Sequence, residues 1–226
     1  MSKRCTICDR LNVERSTECT SCGGRLRPID EPKHGSIKRR AIICLLVSVG
    51  VLASFYLSLV FSAKPLTGEQ FVIASDAIDH VEASGFGREA FLLRNVTTFR
   101  STDNWLNSSV AKENAYAATN FPFAIITLYS DFFTYPSDEV ERAAILLHEV
   151  KHVQGMDEHE AYEFVWRNRR HLGWTRDKYL ESPVWENIRK QTKDNVPELF
   201  TCIEFEASDC TETKLQRAIS VSIPKP

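Results

Sequence analysis

The sequence lacks charge over one long stretch, and this absence gives the first indication of how the chain is organised. Residues 41–63 are 23 residues without a charged side chain. As a helix rising 1.5 Å per residue, they would extend roughly 35 Å, enough to cross the hydrocarbon layer of a membrane. Some forty residues precede the stretch, which argues against a cleaved signal peptide. The chain also lacks internal repeats and low-complexity segments, so no repeat architecture is predicted.

Charge is distributed unevenly on the two sides of this stretch. Residues 1–40 contain ten Lys/Arg and five Asp/Glu, whereas residues 64–226 contain 18 Lys/Arg and 25 Asp/Glu. Lys38–Arg40 lie just before the apolar run, and only Lys64 follows it. The positive-inside rule therefore predicts a cytoplasmic N-terminus and an extracytoplasmic C-terminal domain. An acidic outer domain gives no support for nucleic-acid binding, and the basic segment is explained as a topology determinant.

Cysteine is scarce outside one N-terminal cluster. Two C-x-x-C pairs separated by ten residues are formed by Cys5, Cys8, Cys19 and Cys22. Four thiolates at this spacing predict a closed, structural zinc site, so residues 1–27 are interpreted as a zinc ribbon and 28–40 as a basic linker. A disulfide-stapled mini-domain is the alternative. Cys202 and Cys210 are the only cysteines of the outer domain, where an oxidising compartment would let them pair.

The C-terminal region contains His148-Glu149-Val150-Lys151-His152. Residues i and i+4 of a helix share one face, so both imidazoles can bind one metal ion while Glu149 projects beside it as a general base. The preceding residues 140–147 are predicted to form an amphipathic helix, with Ser137 or Asp138 as its N-cap. The string therefore predicts a hydrolytic zinc site on a helix.

A catalytic zinc usually takes three protein ligands, so a third must lie nearby. Gly155 follows the second histidine by three residues and allows the sharp turn that would bring Glu158 to the metal. His159 and Glu160 remain alternatives, and Glu160 is the more serious of the two. A structural metal with four protein ligands, closed by Glu160 or His159, is a further possibility.

Two known families resemble this region over about residues 121–175. The pattern His-Glu-x-x-His-x-x-Gly-x-x-Glu resembles the metzincin motif with glutamate in place of its third histidine. The segment from Glu158 to Tyr162 resembles the Glu-x-x-Ala segment of gluzincins, whose glutamate is the third ligand. Met1 and Met156 are the only methionines, so the methionine turn of a metzincin is missing. Tyr162 stands where many gluzincins have aspartate.

Four further elements are predicted around the metal helix: strands over Phe91–Phe99 and Phe123–Tyr129, and helices over 69–84 and Glu158–Leu172. Gly173 is expected to end the last helix. Resemblance to zincins implies that the strand preceding the metal helix is an edge strand that holds an extended peptide.

Several side chains of these elements receive an expected role. One side of the 69–84 helix is predicted to consist of Phe71, Val72, Ala74, Ile78 and Val81. The residues predicted to pack in the core are Trp166, Trp174, Trp185 and Phe200. Tyr162 and His171 are candidate donors to an oxyanion, with an ordinary surface or core position as the alternative.

The sequence thus predicts an α+β protein with a small four-cysteine zinc ribbon, one transmembrane helix over 41–63 and a zincin-like domain over 64–226. The expected activity is hydrolysis of a peptide or protein substrate, including cell-wall peptide, with one catalytic and one structural Zn²⁺. The alternative is a non-catalytic binding or sensor protein that connects an outer ligand to a cytoplasmic protein through the ribbon. Glu149 argues against that alternative, since a binding site needs no base.

Overall fold

The computed structural model describes residues 2–29, 37–109 and 115–201. Within these ranges the protein is a mixed α+β structure with eight α-helices and two three-stranded sheets. It divides into two compact units, Met1–Ala53 and Ser54–Pro226. Cys202 and Cys210, and with them the predicted disulfide, lie outside the described residues.

The N-terminal sheet is antiparallel and consists of very short strands. Strand β1 (Lys3–Cys5) lies between β2 (Leu11–Asn12) and β3 (Leu26–Pro28). So small a sheet buries too little apolar surface to fold by itself. Cys5 ends β1, and the other three N-terminal cysteines lie in the turns beside these strands.

Helix α1 (Ile37–Ser62) covers the predicted membrane segment except its last residue, Ala63, and begins four residues before it. By length and composition it can cross a membrane, and most of its apolar side chains are exposed. The boundary between the two compact units falls inside this helix, at Ala53.

The C-terminal unit contains the remaining elements. These are α2 (Gly68–Ala83), α3 (Gly87–Asn95), β4 (Thr98–Arg100), β5 (Ala117–Asn120), β6 (Ile125–Leu128), α4 (Ser130–Thr134), α5 (Glu139–Val153), α6 (Glu158–Asn168), α7 (Arg176–Tyr179) and α8 (Pro183–Asn195). Short 3₁₀ turns cover Asn107–Ser109 and Pro197–Phe200. In the sheet β6 is central, with β4 parallel to it on one side and β5 antiparallel on the other.

The metal-motif helix α5 forms the centre of this unit. Asp138 is its N-cap and accepts hydrogen bonds from the backbone N–H groups of Val140 and Glu141. Of the two predicted N-caps, Ser137 and Asp138, the second is therefore the one observed. The helix packs against α2, α3, α6 and β5. Its fully buried side chains include Ala143, Ala144, Leu146, Leu147 and Val150. The face that carries His148 and His152 therefore belongs to an element that packing holds in place.

Two of the four predicted flanking elements need correction. The strand predicted over Phe91–Phe99 is wrong, because α3 continues to Asn95 and only Thr98–Arg100 is extended. Ala90 and Leu93 are buried at helical spacing, while Phe91 is exposed. The prediction was wrong because the apolar and aromatic residues of this stretch are common in strands as well as in buried helices.

The helix predicted over Glu158–Leu172 ends early, at Asn168. Gly173 has φ +74° and lies in the turn that follows, not at the helix terminus. In this turn the backbone N–H of Trp174 donates to the carbonyl of Arg169 over 2.8 Å. The turn directs the chain back over α6.

Helix α2 confirms the prediction for residues 69–84, with a different buried face. Phe71 and Val72 are exposed, and the buried side chains are Ala74, Ala77, Ile78 and Val81. Strand β6 confirms the strand predicted over Phe123–Tyr129, but it is the central strand of the sheet. The edge next to α5 is β5.

The predicted aromatic core is also observed. Trp166, Trp174 and Trp185 are almost fully buried and contact one another edge-on or tilted. Phe200 is partly buried, and its ring centroid lies 5.6 Å from that of Trp166. This cluster packs α8 and the last 3₁₀ turn against α6, the helix that begins with Glu158.

Candidate metal centre

Helix α5 places three side chains of the H-E-x-x-H string on one face. His148 and His152 are partly buried, and their ring centroids are 4.7 Å apart. Glu149 is buried beside them. Because α5 is packed on most of its surface, the positions of these side chains are set by the core and not by a loop.

A tight turn after α5 returns the chain to this face. Gly155 adopts φ +85°, a conformation that a side chain disfavours. Its N–H donates to the carbonyl of His152, and the N–H of Met156 donates to that of Lys151. Asp157 then caps α6, whose first residue is Glu158. The turn predicted from Gly155 therefore exists and brings Glu158 to the two histidines.

The potential ligand atoms of His148, His152 and Glu158 form a compact triangle. The two Nε2 atoms are 3.0 Å apart, and the Glu158 carboxylate oxygens lie 3.3 Å from His148 Nε2 and 3.5 Å from His152 Nε2. Tetrahedral zinc with bonds of about 2.05 Å holds its ligand atoms about 3.3 Å apart. The donor set fits a zinc ion that keeps one position free.

The structure brings neither alternative third ligand into this triangle. The Glu160 carboxylate accepts the backbone N–H of Asp157 as part of a capping box. His159 Nε2 lies 2.7 Å from the Glu198 carboxylate. Both residues have a hydrogen-bond partner outside the triangle, and Glu158 is the acid that faces the histidines.

The two histidines have different surroundings. His152 Nδ1 is 2.9 Å from the carbonyl oxygen of Met156, and this contact fixes the ring so that Nε2 faces the triangle. His148 Nδ1 is buried and has no hydrogen-bond partner among the described residues. The Tyr162 ring instead packs against the His148 ring, with the centroids 4.3 Å apart. The turn after α5 thus supplies both Glu158, a potential ligand, and the carbonyl that orients His152.

The two candidate oxyanion donors, Tyr162 and His171, are excluded from this role for different reasons. The Tyr162 hydroxyl donates to the Gln191 side chain over 2.7 Å. Burial raises the pKa of Tyr162 above its usual value, so it stays a neutral donor. His171 is exposed in the turn after α6 and does not line the cavities around the triangle.

Opposite charges are concentrated at the triangle. Hydrogen bonding from His148 and His152 holds the pKa of the Glu158 carboxyl well below its usual range. Burial by itself would lower the pKa of His152, but the Glu158 carboxylate, the Met156 carbonyl and the Glu149 charge outweigh it and raise it to about 9. Glu158 and protonated His152 form an ion pair, so a cation that binds here replaces a proton.

Thr119 on strand β5 is a site residue that sequence analysis did not identify. Its hydroxyl donates to Glu149 Oε2 over 2.6 Å and lies 3.0 Å from the Glu149 carbonyl oxygen. Thr119 pairs with Ile126 of β6, so the sheet register fixes its position. The strand Ala-Ala-Thr-Asn has no apolar run or clear alternation, and no local pattern distinguishes it.

A cavity of about 620 Å³ opens beside Glu149 and His152. One wall is strand β5 with Phe121, and the opposite wall is the Gly155–Glu158 turn. A smaller cavity of about 150 Å³ is lined by His148, Tyr116 and Tyr162. Glu149 and Glu158 line both cavities.

The chain matches no protein-family model, and no curated protein or solved structure shows significant similarity to it.

The N-terminal cysteines form a separate cluster. The Sγ atoms of Cys5 and Cys22 are 3.5 Å apart, those of Cys8 and Cys19 3.6 Å, and those of Cys8 and Cys22 3.4 Å. A tetrahedral zinc with Zn–S bonds of about 2.3 Å separates its sulfurs by about 3.8 Å. These four cysteines form no disulfide, so the stapled alternative is not observed.

The surroundings of this cluster also fit a metal. Backbone hydrogen bonding at Ser21 lowers the pKa of the Cys19 thiol to about 6, which favours the thiolate that a metal requires. Gly24 lies so close that an added Cβ would be 2.9 Å from Ile7 Cδ1 and 3.1 Å from Cys5 Sγ. Four cysteines and no open position make a closed site, which is suited to stabilising the fold.

Proposed function

We propose that this protein is a membrane-anchored zinc metallopeptidase. The observation that supports this most directly is the triangle of His148, His152 and Glu158 beside the buried, hydrogen-bonded carboxylate of Glu149. Three ligands and an adjacent base are the donor set of catalytic zinc in hydrolases. The fold class proposed for residues 64–226 is zincin-like.

Each residue of the site would have its own role in peptide hydrolysis. His148 and His152 would hold the ion through Nε2, and Glu158 would hold it through its carboxylate. Bound zinc would polarise the scissile carbonyl group and make water more acidic. Glu149 accepts the proton of the attacking water and passes it to the leaving amine nitrogen. Thr119 holds Oε2 of Glu149, which leaves Oε1 for the proton transfer.

The substrate proposed is a peptide in extended conformation, from a protein or from cell-wall peptide. Among the described strands, β5 is an edge of its sheet, and it lines the larger cavity with Ala117, Ala118 and Thr119. The outward backbone groups of an edge strand can hold an extended chain by added-strand hydrogen bonding. This would place a peptide bond of the substrate across the triangle.

The anchor and the ribbon complete the proposal. Helix α1 would span the membrane once, with Lys38–Arg40 on the cytoplasmic side and the acidic C-terminal domain outside. The four-cysteine site would hold a structural zinc in the cytoplasm, where the ribbon can bind a cytoplasmic protein. Each chain would then carry two zinc ions with different roles.

Substitution of three glutamates at or next to the triangle tests the roles proposed for the third ligand and the base. Purified full-length protein should lose the zinc of the candidate site on Glu158→Ala, because two histidines alone hold the ion poorly. Glu160→Ala is the matched control, and it should keep the zinc. Glu149→Gln should also keep it, while cleavage of a peptide library falls by a factor on the order of 10²–10⁴ through loss of the base.

Each variant also has an outcome that contradicts the proposal. Loss of zinc from Glu160→Ala but not from Glu158→Ala would move the third ligand to Glu160. If the wild type cleaves peptides and Glu149→Gln cleaves them equally well, the proposed base is wrong. If zinc-loaded wild type binds peptides without cleaving any, the protein is a binding or sensor module built on the same site.

A further inference from the structure

The last two turns of α1 pack against the other elements of the C-terminal unit. Leu59 is fully buried there. The ring centroid of Phe55 lies 5.7 Å from that of Trp105, with the rings nearly perpendicular, and 5.4 Å from that of Phe123. The end of the candidate membrane helix is thus covered by the same unit that contains the metal triangle.

Hydrogen bonds fix this contact along the helix axis. The hydroxyls of Tyr56 and Thr98 are 2.8 Å apart, and Arg100 Nε donates to the carbonyl of Val60 over 3.1 Å. Trp105 Nε1 donates to the hydroxyl of Ser58 over 3.2 Å. Each partner therefore lies at the level of a known residue of α1.

These levels can be converted to depths in a bilayer. A hydrocarbon layer about 30 Å thick takes about 20 helical residues. Counted from Ala41, the first residue after the basic cluster, that length ends near Val60. Phe55 is then roughly 7.5 Å deeper than Val60. Trp105, which contacts both Phe55 and Ser58, then lies roughly 3–7.5 Å inside the outer boundary of the hydrocarbon.

Exposed apolar side chains occur on this part of the unit. Trp105, Leu106 and Phe121 are 49%, 42% and 61% exposed. Tryptophan is the side chain most characteristic of the membrane–water interface, where its ring is apolar and its N–H can bond. Phe121 also lines the larger cavity, and its ring lies about 4 Å from the position of a Cβ on Gly155.

We propose that Trp105, Leu106 and Phe121 form an interfacial rim that is inserted at the outer boundary of the hydrocarbon layer, so that the cavity of the metal triangle opens at the lipid surface. The partner of this surface is the bilayer that α1 enters. The inference rests on the proposed membrane span and deepens the proposed function. It restricts substrates to polypeptide segments that lie next to the membrane.

The test uses the fluorescence of the full chain reconstituted in lipid nanodiscs. Trp105 is exposed, whereas Trp166, Trp174 and Trp185 are at most 2% exposed. The difference in emission between wild type and the matched control Trp105→Phe therefore isolates Trp105. Phosphatidylcholine brominated near the headgroup end of its acyl chain should quench this difference signal, and aqueous iodide should leave it almost unchanged.

A second variant separates failure of the rim from failure of the anchor. Val51 is near the middle of the 41–60 stretch and exposed. In the Trp105→Phe background, the indole introduced by Val51→Trp should be quenched by lipid brominated near the terminal methyl. If that indole is quenched while Trp105 responds only to iodide, the rim proposal is overturned and the anchor stands. If iodide also quenches the introduced indole, α1 does not span the bilayer and both proposals fail.

Discussion

Zinc binding at the triangle of His148, His152 and Glu158 should weaken steeply as the pH falls below about 9. The perturbation is acidification of the metal-free protein, in which Glu158 holds a proton on His152. Burial opposes that proton, but the Glu158 carboxylate and the Met156 carbonyl raise the pKa of His152 to about 9. Zinc must displace this proton to reach Nε2, and the competition sets the pH dependence.

The pKa of His152 sets the expected size of the change in zinc affinity with pH. An ordinary histidine has a pKa of about 6.5, so a value of about 9 means that His152 keeps its proton at neutral pH. His152 is charged below about pH 9 and neutral above it. Because one proton leaves for each zinc bound, the apparent affinity should fall about 50-fold between about pH 9, where half of His152 is already neutral, and about pH 7, and about tenfold for each further pH unit.

Competition with a chelator of known pH dependence measures this slope. The zinc of the triangle is identified as the portion that a His148→Ala, His152→Ala double variant lacks. His159→Ala is the control, since His159 pairs with Glu198 and lies outside the triangle. An apparent affinity that is equal at both ends of this pH range, after correction for the chelator, would refute the ion pair as the state that zinc displaces.

Three further predictions address other parts of the molecule. Gly24→Ala should weaken zinc binding by the cysteine cluster, seen in metal analysis as zinc lost to a competing chelator, because the added Cβ would lie 3.1 Å from Cys5 Sγ and displace this sulfur. Thr119→Val should lower kcat by about 10- to 100-fold with KM and zinc content unchanged, through loss of a hydrogen bond to the charged Glu149, while Thr119→Ser keeps it. An equal loss in both variants would contradict that role. Glu89→Gln should lower the free energy of unfolding by about 3–5 kcal/mol, because the buried Lys151 loses its partner 2.6 Å away. Burial opposes ionisation of Glu89, but Lys151 holds its pKa below the usual value, so this stabilisation is present above about pH 4.5 and is lost on further acidification, which calorimetry can follow.

Local pattern was enough to predict the parts of the protein whose chemistry is local. The four cysteines lie at a fixed spacing along the chain, and the structure gathers them in one cluster. Helix α5 combines an N-cap, an apolar face and two histidines one turn apart, all properties of a continuous segment. Gly155 also acts locally, since its positive φ is a property of its own backbone.

Contacts between distant segments could not be read from such patterns. The strand prediction failed at Phe91–Phe99 because apolar composition is shared by strands and buried helices, and only packing against α2 and α5 decides between them. The third ligand was ambiguous for a similar reason. Glu158 and Glu160 are both acids at the start of α6, and the capping box with Asp157 assigns one of them to the helix end.

The sequence by itself determined which chemical groups are present: two histidines, a glutamate between them, a glycine turn and four thiols at spacings that a metal can use. The tertiary structure alone decided how these groups are held. Thr119 reaches Glu149 because β5 pairs with β6 in one register, and the packing of Phe55 on Phe123 and Trp105 holds the end of the apolar helix against the unit that contains the site. The physical reason is that hydrogen bonds and packing between segments far apart in the chain depend on the whole folded core, whereas spacing along one helix does not.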